Sequence, residues 1–108
     1  MDLVQKHCVP CEGGIPPFSP AQIREYLKEV PTWTVTDDKK IGREFKFNNF
    51  NEAMFFVNSV AKLAEAEGHH PDIHIFYNKV SLELSTHAIK GLSENDFILA
   101  SKIDLIQL

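Results

Sequence analysis

The chain has 108 residues, of which 44% are hydrophobic and 24% are charged, and its formal net charge is -4. This length suits one compact domain, and the acidic balance argues against a nucleic-acid-binding surface, because such surfaces concentrate Lys and Arg. No stretch approaches the roughly 20 apolar residues of a membrane span, and the N-terminus lacks a signal-peptide pattern. The composition therefore predicts a soluble cytoplasmic protein that binds neither nucleic acid nor membrane.

The first segment of the chain is a leader rich in Pro and Gly. Cys8 and Cys11 form a Cys-x-x-Cys motif beside His7 in this leader. A structural zinc site needs four ligands, and a redox pair lies where a strand meets a helix, so neither function is favoured here. We expect reduced thiols in a loosely ordered leader over residues 1–18, followed by a single domain over residues 19–108.

Three helices are predicted from capping patterns that precede apolar residues at helical spacing. Each pattern places a polar N-cap residue three positions before a Gln, Glu or Asp: Ser19 with Gln22, Asn49 with Glu52, and Ser93 with Asp96. The first helix should end before Pro31, because proline disrupts the helical hydrogen bonds. The second should run from about residue 50 to 67 and end at Gly68, and the third should run from Glu94 to the C-terminus.

The second and third helices are apolar on more than one face. Phe55 and Leu63 lie off the main stripe of the second helix, and the third helix carries apolar residues around most of its circumference. Both faces of such a helix must be buried, and a domain this small has little chain left to cover them. We therefore expect a homo-oligomer, a dimer or a tetramer, joined through helix faces. The alternative is a wide core stripe within one chain.

Between the helices the apolar period changes to two, which is typical of β-strands. Four such segments lie around residues 33–35, 43–47, 73–77 and 80–84, with turn residues between the members of each pair. The element order is α-β-β-α-β-β-α. It predicts an α+β fold in which a four-stranded antiparallel sheet carries three helices on one face.

Four of the five histidines lie in one quarter of the chain: His69, His70, His74 and His87. Gly68 and Pro71 interrupt the second helix, so the His69-His70 pair should stand at a helix-to-strand junction. In an antiparallel hairpin the beginning of one strand adjoins the end of the next. The pair should therefore meet His87, which follows the last strand, whereas His74 points to the other side of its strand.

Proton transfer is the chemistry that this cluster favours. Glu65 precedes His69 by one helical turn, so its carboxylate is expected to hold one imidazole nitrogen and favour the charged ring. An imidazole, with an ordinary pKa of about 6.5, serves as acid or base near neutral pH. A zinc or iron site built from three histidines and a glutamate is the alternative, although Pro71 prevents His70 and His74 from sharing a helix face.

The spacing of these residues resembles the pterin-4a-carbinolamine dehydratase family. The family pattern consists of an acidic residue, a His-His-Pro sequence, an aromatic residue, a histidine and an aspartate, found here at Glu65, His69-His70-Pro71, Tyr77, His87 and Asp96. Trp33 and the segment FKFNNFNEA before the second helix also resemble the family. One departure is Ile73, where some members have Trp. The resemblance spans roughly residues 33–104.

This resemblance implies dehydration of 4a-hydroxytetrahydropterin to quinonoid dihydropterin in tetrahydrobiopterin recycling, without metal or organic cofactor. The implied catalytic residues are His69, His70, His87 and Glu65, with His69 and His87 transferring protons and His70 holding the pterin. The implied substrate-binding positions are Gly68, His69, His70, Pro71, Ser85, Thr86, His87, Ala88 and Asp96. An aromatic amino-acid hydroxylase is the implied pathway partner.

A binding module is a second interpretation of the same resemblance. Animal members of the family also serve as dimerisation cofactors for a homeodomain transcription factor, through their helices. An apolar helix face fits either that role or self-assembly, whereas the three histidines indicate enzyme activity in both cases.

Overall fold

The computed structural model describes residues 1–10 and 13–107. It contains helices α1 (Pro20–Leu27), α2 (Phe50–Glu67) and α3 (Glu94–Ile103), and strands β1 (Thr34–Thr36), β2 (Lys40–Lys46), β3 (Asp72–Phe76) and β4 (Lys79–Leu84). Short 3-10 turns lie at Leu3–Gln5 and His87–Ile89. The predicted order α-β-β-α-β-β-α and both predicted hairpins are confirmed.

The four strands form one antiparallel sheet in the order β1-β2-β4-β3. Along β4 the side chains alternate, because Val80, Leu82 and Leu84 are buried while the residues between them are partly accessible. The buried side chains join the helices in one core. The register also decides the position of the site, since Asp72 at the start of β3 pairs with Glu83 near the end of β4.

The predicted helix starts are present, with one change of partner. Ser19 and Gln22 form a reciprocal capping box at α1, and the Asn49 side chain accepts from the Glu52 amide at 2.9 Å. The Glu52 carboxylate accepts from the Asn48 amide rather than from Asn49, so this pair is not reciprocal.

Helix α3 is shorter than expected. It ends at Ile103, and the prediction of a helix that continues to the C-terminus is therefore wrong. Asp104 stands at the C-cap, where its carboxylate accepts from Trp33 Nε1 at 2.9 Å and from Arg43 at 2.6 Å. These contacts tie the end of α3 to the sheet side of the core.

The apolar surface of α3 is covered within the chain. Phe97, Ile98 and Ile103 are all buried, and the helix packs against α1, α2 and the turn at Leu3–Gln5. The inference that α3 needs a second subunit is therefore wrong, because the leader supplies the missing cover. Helix α2 differs, since Phe50 and Phe55 keep 48% and 58% of their surface exposed.

The first ten residues are held by specific contacts, which differs from the loose segment expected there. Leu3 is 3% exposed and belongs to the core. Lys6 forms an ion pair with Glu94 at 3.0 Å. Cys11, the second cysteine of the Cys-x-x-Cys motif, lies outside the described residues.

Candidate functional site

A cavity of about 230 Å³ lies where the end of α2 meets the segment after β4. Its walls comprise Gly68, His69 and His70 from the first segment, Ser85, Thr86, His87 and Ala88 from the second, and also Val9 and Asn95. The β3–β4 register accounts for this meeting, because residues just before β3 must stand beside residues just after β4. The His69-His70 pair and His87 thus line the same cavity.

Gly68 determines where the histidine pair leaves the helix. Its φ of +66° is the left-handed conformation that ends helices, and its amide donates to the Ala64 carbonyl. The His69 amide donates to the same carbonyl at 3.2 Å. This turn rotates His69 away from the helical face on which Glu65 lies.

His69 has a buried partner that differs from the predicted one. Its Nε2 lies 2.6 Å from Asp96 Oδ1, and the Asp96 side chain is fully buried. Asp96 Oδ2 accepts from the Thr86 hydroxyl at 2.9 Å and from the Ser93 amide at 3.0 Å. The predicted Glu65–His69 pair is therefore wrong. Because a carboxylate only accepts hydrogen bonds, His69 Nε2 carries a hydrogen. The other ring nitrogen, Nδ1, is therefore the one that can exchange a proton with a substrate.

Glu65 contacts the neighbouring histidine instead. Its Oε2 lies 2.5 Å from His70 Nε2, and the two side chains are 78% and 60% exposed. Solvent screening makes such a pair weak, with a contribution of about 0–1 kcal/mol. Glu65 therefore lies at the rim of the cavity, beside His70.

Several predicted positions do not line the cavity. Pro71 leads into β3, and Asp96 lies behind His69. Tyr77 is 66% exposed at the far end of the β3–β4 hairpin, where it stacks on Phe50, and Trp33 is in the core. These four residues match the family pattern, but their side chains do not line this cavity.

Sequence reasoning missed Val9 and Asn95. Asn95 is buried and holds the leader with two hydrogen bonds, accepting from the Val9 amide at 3.0 Å and donating to the Val9 carbonyl at 2.7 Å. The paired residues are 86 positions apart, so neither helical nor strand periodicity carries a signal for this contact. The leader is one wall of the cavity.

Glu67 holds the leader from the helix side. Its carboxylate accepts from the Cys8 amide at 2.8 Å and from Lys102 Nζ at 2.8 Å. Burial by itself raises the pKa of Glu67, but the hydrogen bonds from Lys102 and the Cys8 amide lower it to about 2. A carboxylate that stays ionised through the neutral range keeps the leader attached there.

Cys8 is half-buried beside the Glu67 carboxylate. Burial, followed by the nearby Glu67 carboxylate, raises the pKa of the Cys8 thiol to about 12. The thiolate is the nucleophile and metal ligand in cysteine chemistry, and a raised pKa disfavours its formation at neutral pH. Cys8 therefore packs in the leader as a small, weakly polar side chain.

The described part of the chain offers no candidate metal site. Within residues 1–10 and 13–107, no three His, Cys, Asp or Glu side chains are grouped so as to hold a metal ion. His74 lies on the other side of the sheet, 3.6 Å from Glu83. In the same ranges no helix is long and apolar enough to span a bilayer.

The fold matches that of solved pterin dehydratases. A crystal structure from Brucella melitensis, described as a transcriptional coactivator/pterin dehydratase, superposes with a TM-score of 0.77 at 32% identity, covering 82% of this chain and 95% of that one. A pterin dehydratase-like protein described as a RuBisCO assembly factor in the alpha-carboxysome has a TM-score of 0.58 at 21% identity and covers 68% and 86%. The second likeness concerns the fold alone.

Comparison of sequences assigns the family. Residues 16–106 match the family model described as pterin 4 alpha carbinolamine dehydratase. A relative from Halorhodospira halophila is 50% identical over 107 residues, covering 98% of both chains. Another from Alkaliphilus metalliredigens is 46% identical over 104 residues, covering 95% of this chain and 94% of that one, and both carry names of this family. The chain therefore belongs to the pterin 4 alpha carbinolamine dehydratase family, and it is an enzyme of the hydro-lyase class.

Proposed function

We propose that the chain dehydrates 4a-hydroxytetrahydropterin to quinonoid dihydropterin and water by general acid-base catalysis from its histidines. The observation that carries this proposal is the cavity lined jointly by His69, His70 and His87. Its volume of about 230 Å³ is below the roughly 300–1,000 Å³ of pockets for drug-sized ligands, which suits a small bicyclic ring. Family membership supports the substrate class.

The reaction needs two proton movements and no oxidant. The C4a–O bond breaks as the hydroxyl takes up a proton and leaves as water, and N5 gives up its proton. The electron pair of the N5–H bond becomes the new double bond between N5 and C4a. A positioned acid or base contributes about 10²- to 10⁴-fold, or about 3 to 5 kcal/mol of the barrier, for each step.

The three imidazoles that line the cavity have different surroundings, and we assign them different roles. His69 is held by the buried Asp96 and is proposed to transfer a proton through Nδ1, while His87 is proposed to act from the 3-10 turn on the other side of the ring. His70 is proposed to hold the pterin, with Glu65 positioning it from the rim. The backbone groups of 68–70 and 85–88 are proposed to pair with the polar edge of the pterin.

The wider context is also a proposal. Operation without a metal or organic cofactor, in tetrahydrobiopterin recycling alongside an aromatic amino-acid hydroxylase, follows from the family resemblance. Self-association is proposed through α2, where Phe50 and Phe55 are exposed. The cytoplasmic location stays a prediction from the sequence.

The direct test is dehydration of enzymically generated 4a-hydroxytetrahydropterin by the wild type and by His69→Ala, His70→Ala and His87→Ala. We expect the His69 and His87 variants to lose about 10²-fold or more in kcat, and His70→Ala to raise KM. His74→Ala is the matched control, because this exposed histidine lies outside the cavity. Unchanged rates in His87→Ala would remove its assigned role.

The metal-site interpretation needs a separate measurement. Elemental analysis of the purified protein, before and after chelation, decides between the two mechanisms. A stoichiometric metal whose removal abolishes dehydration would contradict the acid-base mechanism.

A further inference from the structure

A second cavity adjoins the histidine cavity. It also measures about 230 Å³, and its walls comprise Lys39, Lys40, Ser85, Thr86, His87, Lys90 and Gly91. Three of these residues, Ser85, Thr86 and His87, line the first cavity as well. The two cavities therefore adjoin the same short stretch of chain.

The loop that follows β4 serves both cavities. It is closed by an isolated bridge between Thr86 and Gly91, and Lys90 within it has a φ of +55°. The Lys90 amide donates to the His87 carbonyl at 3.1 Å. Non-glycine residues seldom adopt this left-handed conformation, so the closed loop holds the backbone of Lys90 in a defined place relative to His87.

Three lysines line the second cavity, although the chain as a whole is acidic. The protein has a formal net charge of -4, yet three lysines from two separate segments meet here. Lys40 forms an ion pair with Glu83 at 3.0 Å. Among the ion pairs formed by residues 1–10 and 13–107, Lys39 and Lys90 take part in none. Two ammonium groups therefore remain available to an external anion.

We propose that this lysine cavity binds a phosphate group carried on the C6 substituent of the pterin. The inference rests on the proposed function, because the pterin ring must occupy the histidine cavity. Its C6 substituent would then pass Ser85, Thr86 and His87, which line both cavities, and reach the lysine cavity. A phosphate is multiply charged and accepts hydrogen bonds in several directions, which suits lysine ammonium groups. The substrate class is thus a 4a-hydroxytetrahydropterin with an anionic side chain.

The test measures binding without catalysis. Two 7,8-dihydropterins that lack the 4a-hydroxyl are titrated into the protein by calorimetry, one with a neutral hydroxyalkyl chain at C6 and one with the phosphate monoester of that chain. We expect the phosphate ester to bind roughly tenfold more tightly at low ionic strength, and added salt to reduce this preference. The double variant Lys39→Gln/Lys90→Gln should lose it.

Matched controls separate the cavity from general charge effects. Lys28→Gln/Lys62→Gln removes the same two charges from exposed positions outside both cavities and should keep the preference. Thermal unfolding of each variant shows that it is folded. Equal binding of the two ligands, or a phosphate preference that survives in Lys39→Gln/Lys90→Gln, would overturn the proposal of a phosphate site. The dehydratase proposal would not be affected by either result.

Two further outcomes distinguish this proposal from the dehydratase proposal. If neither dihydropterin binds the wild type, both proposals fail. If the phosphate preference is present and depends on the lysines, but no 4a-hydroxypterin is dehydrated, the phosphate site stands and the catalytic proposal fails. Tighter binding of a dihydropterin with a glutamate side chain than of the phosphate ester would overturn the assignment to phosphate.

Discussion

Asp96 Oδ1 lies 2.6 Å from His69 Nε2, and this contact joins the buried start of α3 to the cavity. The other oxygen of Asp96 accepts from the Ser93 amide and from Thr86, so one carboxylate caps the helix and orients the imidazole. Any displacement of the start of α3 would therefore also move the His69 imidazole.

Asp96→Asn should lower kcat more than it changes KM. The amide keeps the size and one acceptor of the carboxylate but removes the charge that faces His69, so a loss of at least tenfold in kcat is expected. Steady-state dehydration kinetics measure the effect. Glu94→Gln, in the same helical turn but bonded to Lys6 and Tyr26, is the control and should leave kcat unchanged. Equal kcat in both variants would restrict Asp96 to helix capping.

Glu65→Gln should have a small effect on catalysis. The pair that it forms with His70 is exposed to solvent on both sides, so its loss costs at most about 1 kcal/mol, or roughly fivefold in kcat/KM. Dehydration assays at low and high salt measure this change. A loss comparable to that of His69→Ala would show that Glu65 takes a direct part in the chemistry.

Asn95→Ala should release the leader wall of the cavity. The variant loses both hydrogen bonds to Val9, and we expect a higher KM together with faster proteolytic cleavage within the leader. Asn51→Ala, an exposed substitution on α2, is the matched control. A normal KM combined with a cleavable leader would mean that the Val9 wall does not contribute to substrate binding.

The Glu67 carboxylate should make stability depend on acid pH. Its pKa falls from an ordinary 4.5 to about 2 on folding, so its contribution is present above pH 4.5 and is lost as the pH falls towards 2. The size of this contribution is about 3 kcal/mol. Urea unfolding between pH 2 and 6 measures it, and Glu67→Gln should show a flatter dependence than the wild type. An unchanged slope in Glu67→Gln would contradict the assignment.

Local patterns predicted most of the elements, because capping, helix termination and strand alternation depend on neighbouring residues. Asn49 begins α2 and Gly68 ends it, as the sequence indicates. The antiparallel pairing of β3 with β4 likewise brings His87 to the cavity that His69 lines. The partner of His69 was mispredicted, since helical spacing favoured Glu65 and the left-handed turn at Gly68 removes His69 from that face.

The amino-acid sequence alone determined the class of fold and the segment that carries the histidines, since these follow from periodicity and spacing along the chain, while the family was recognised from the resemblance of its motif residues. Only the tertiary structure decided that Asp96 holds His69, that the leader covers α3 and lines the cavity, and that Lys39 and Lys90 meet beside His87. Each of these contacts joins distant parts of the chain. Their free energy depends on how the elements pack, which no local pattern encodes.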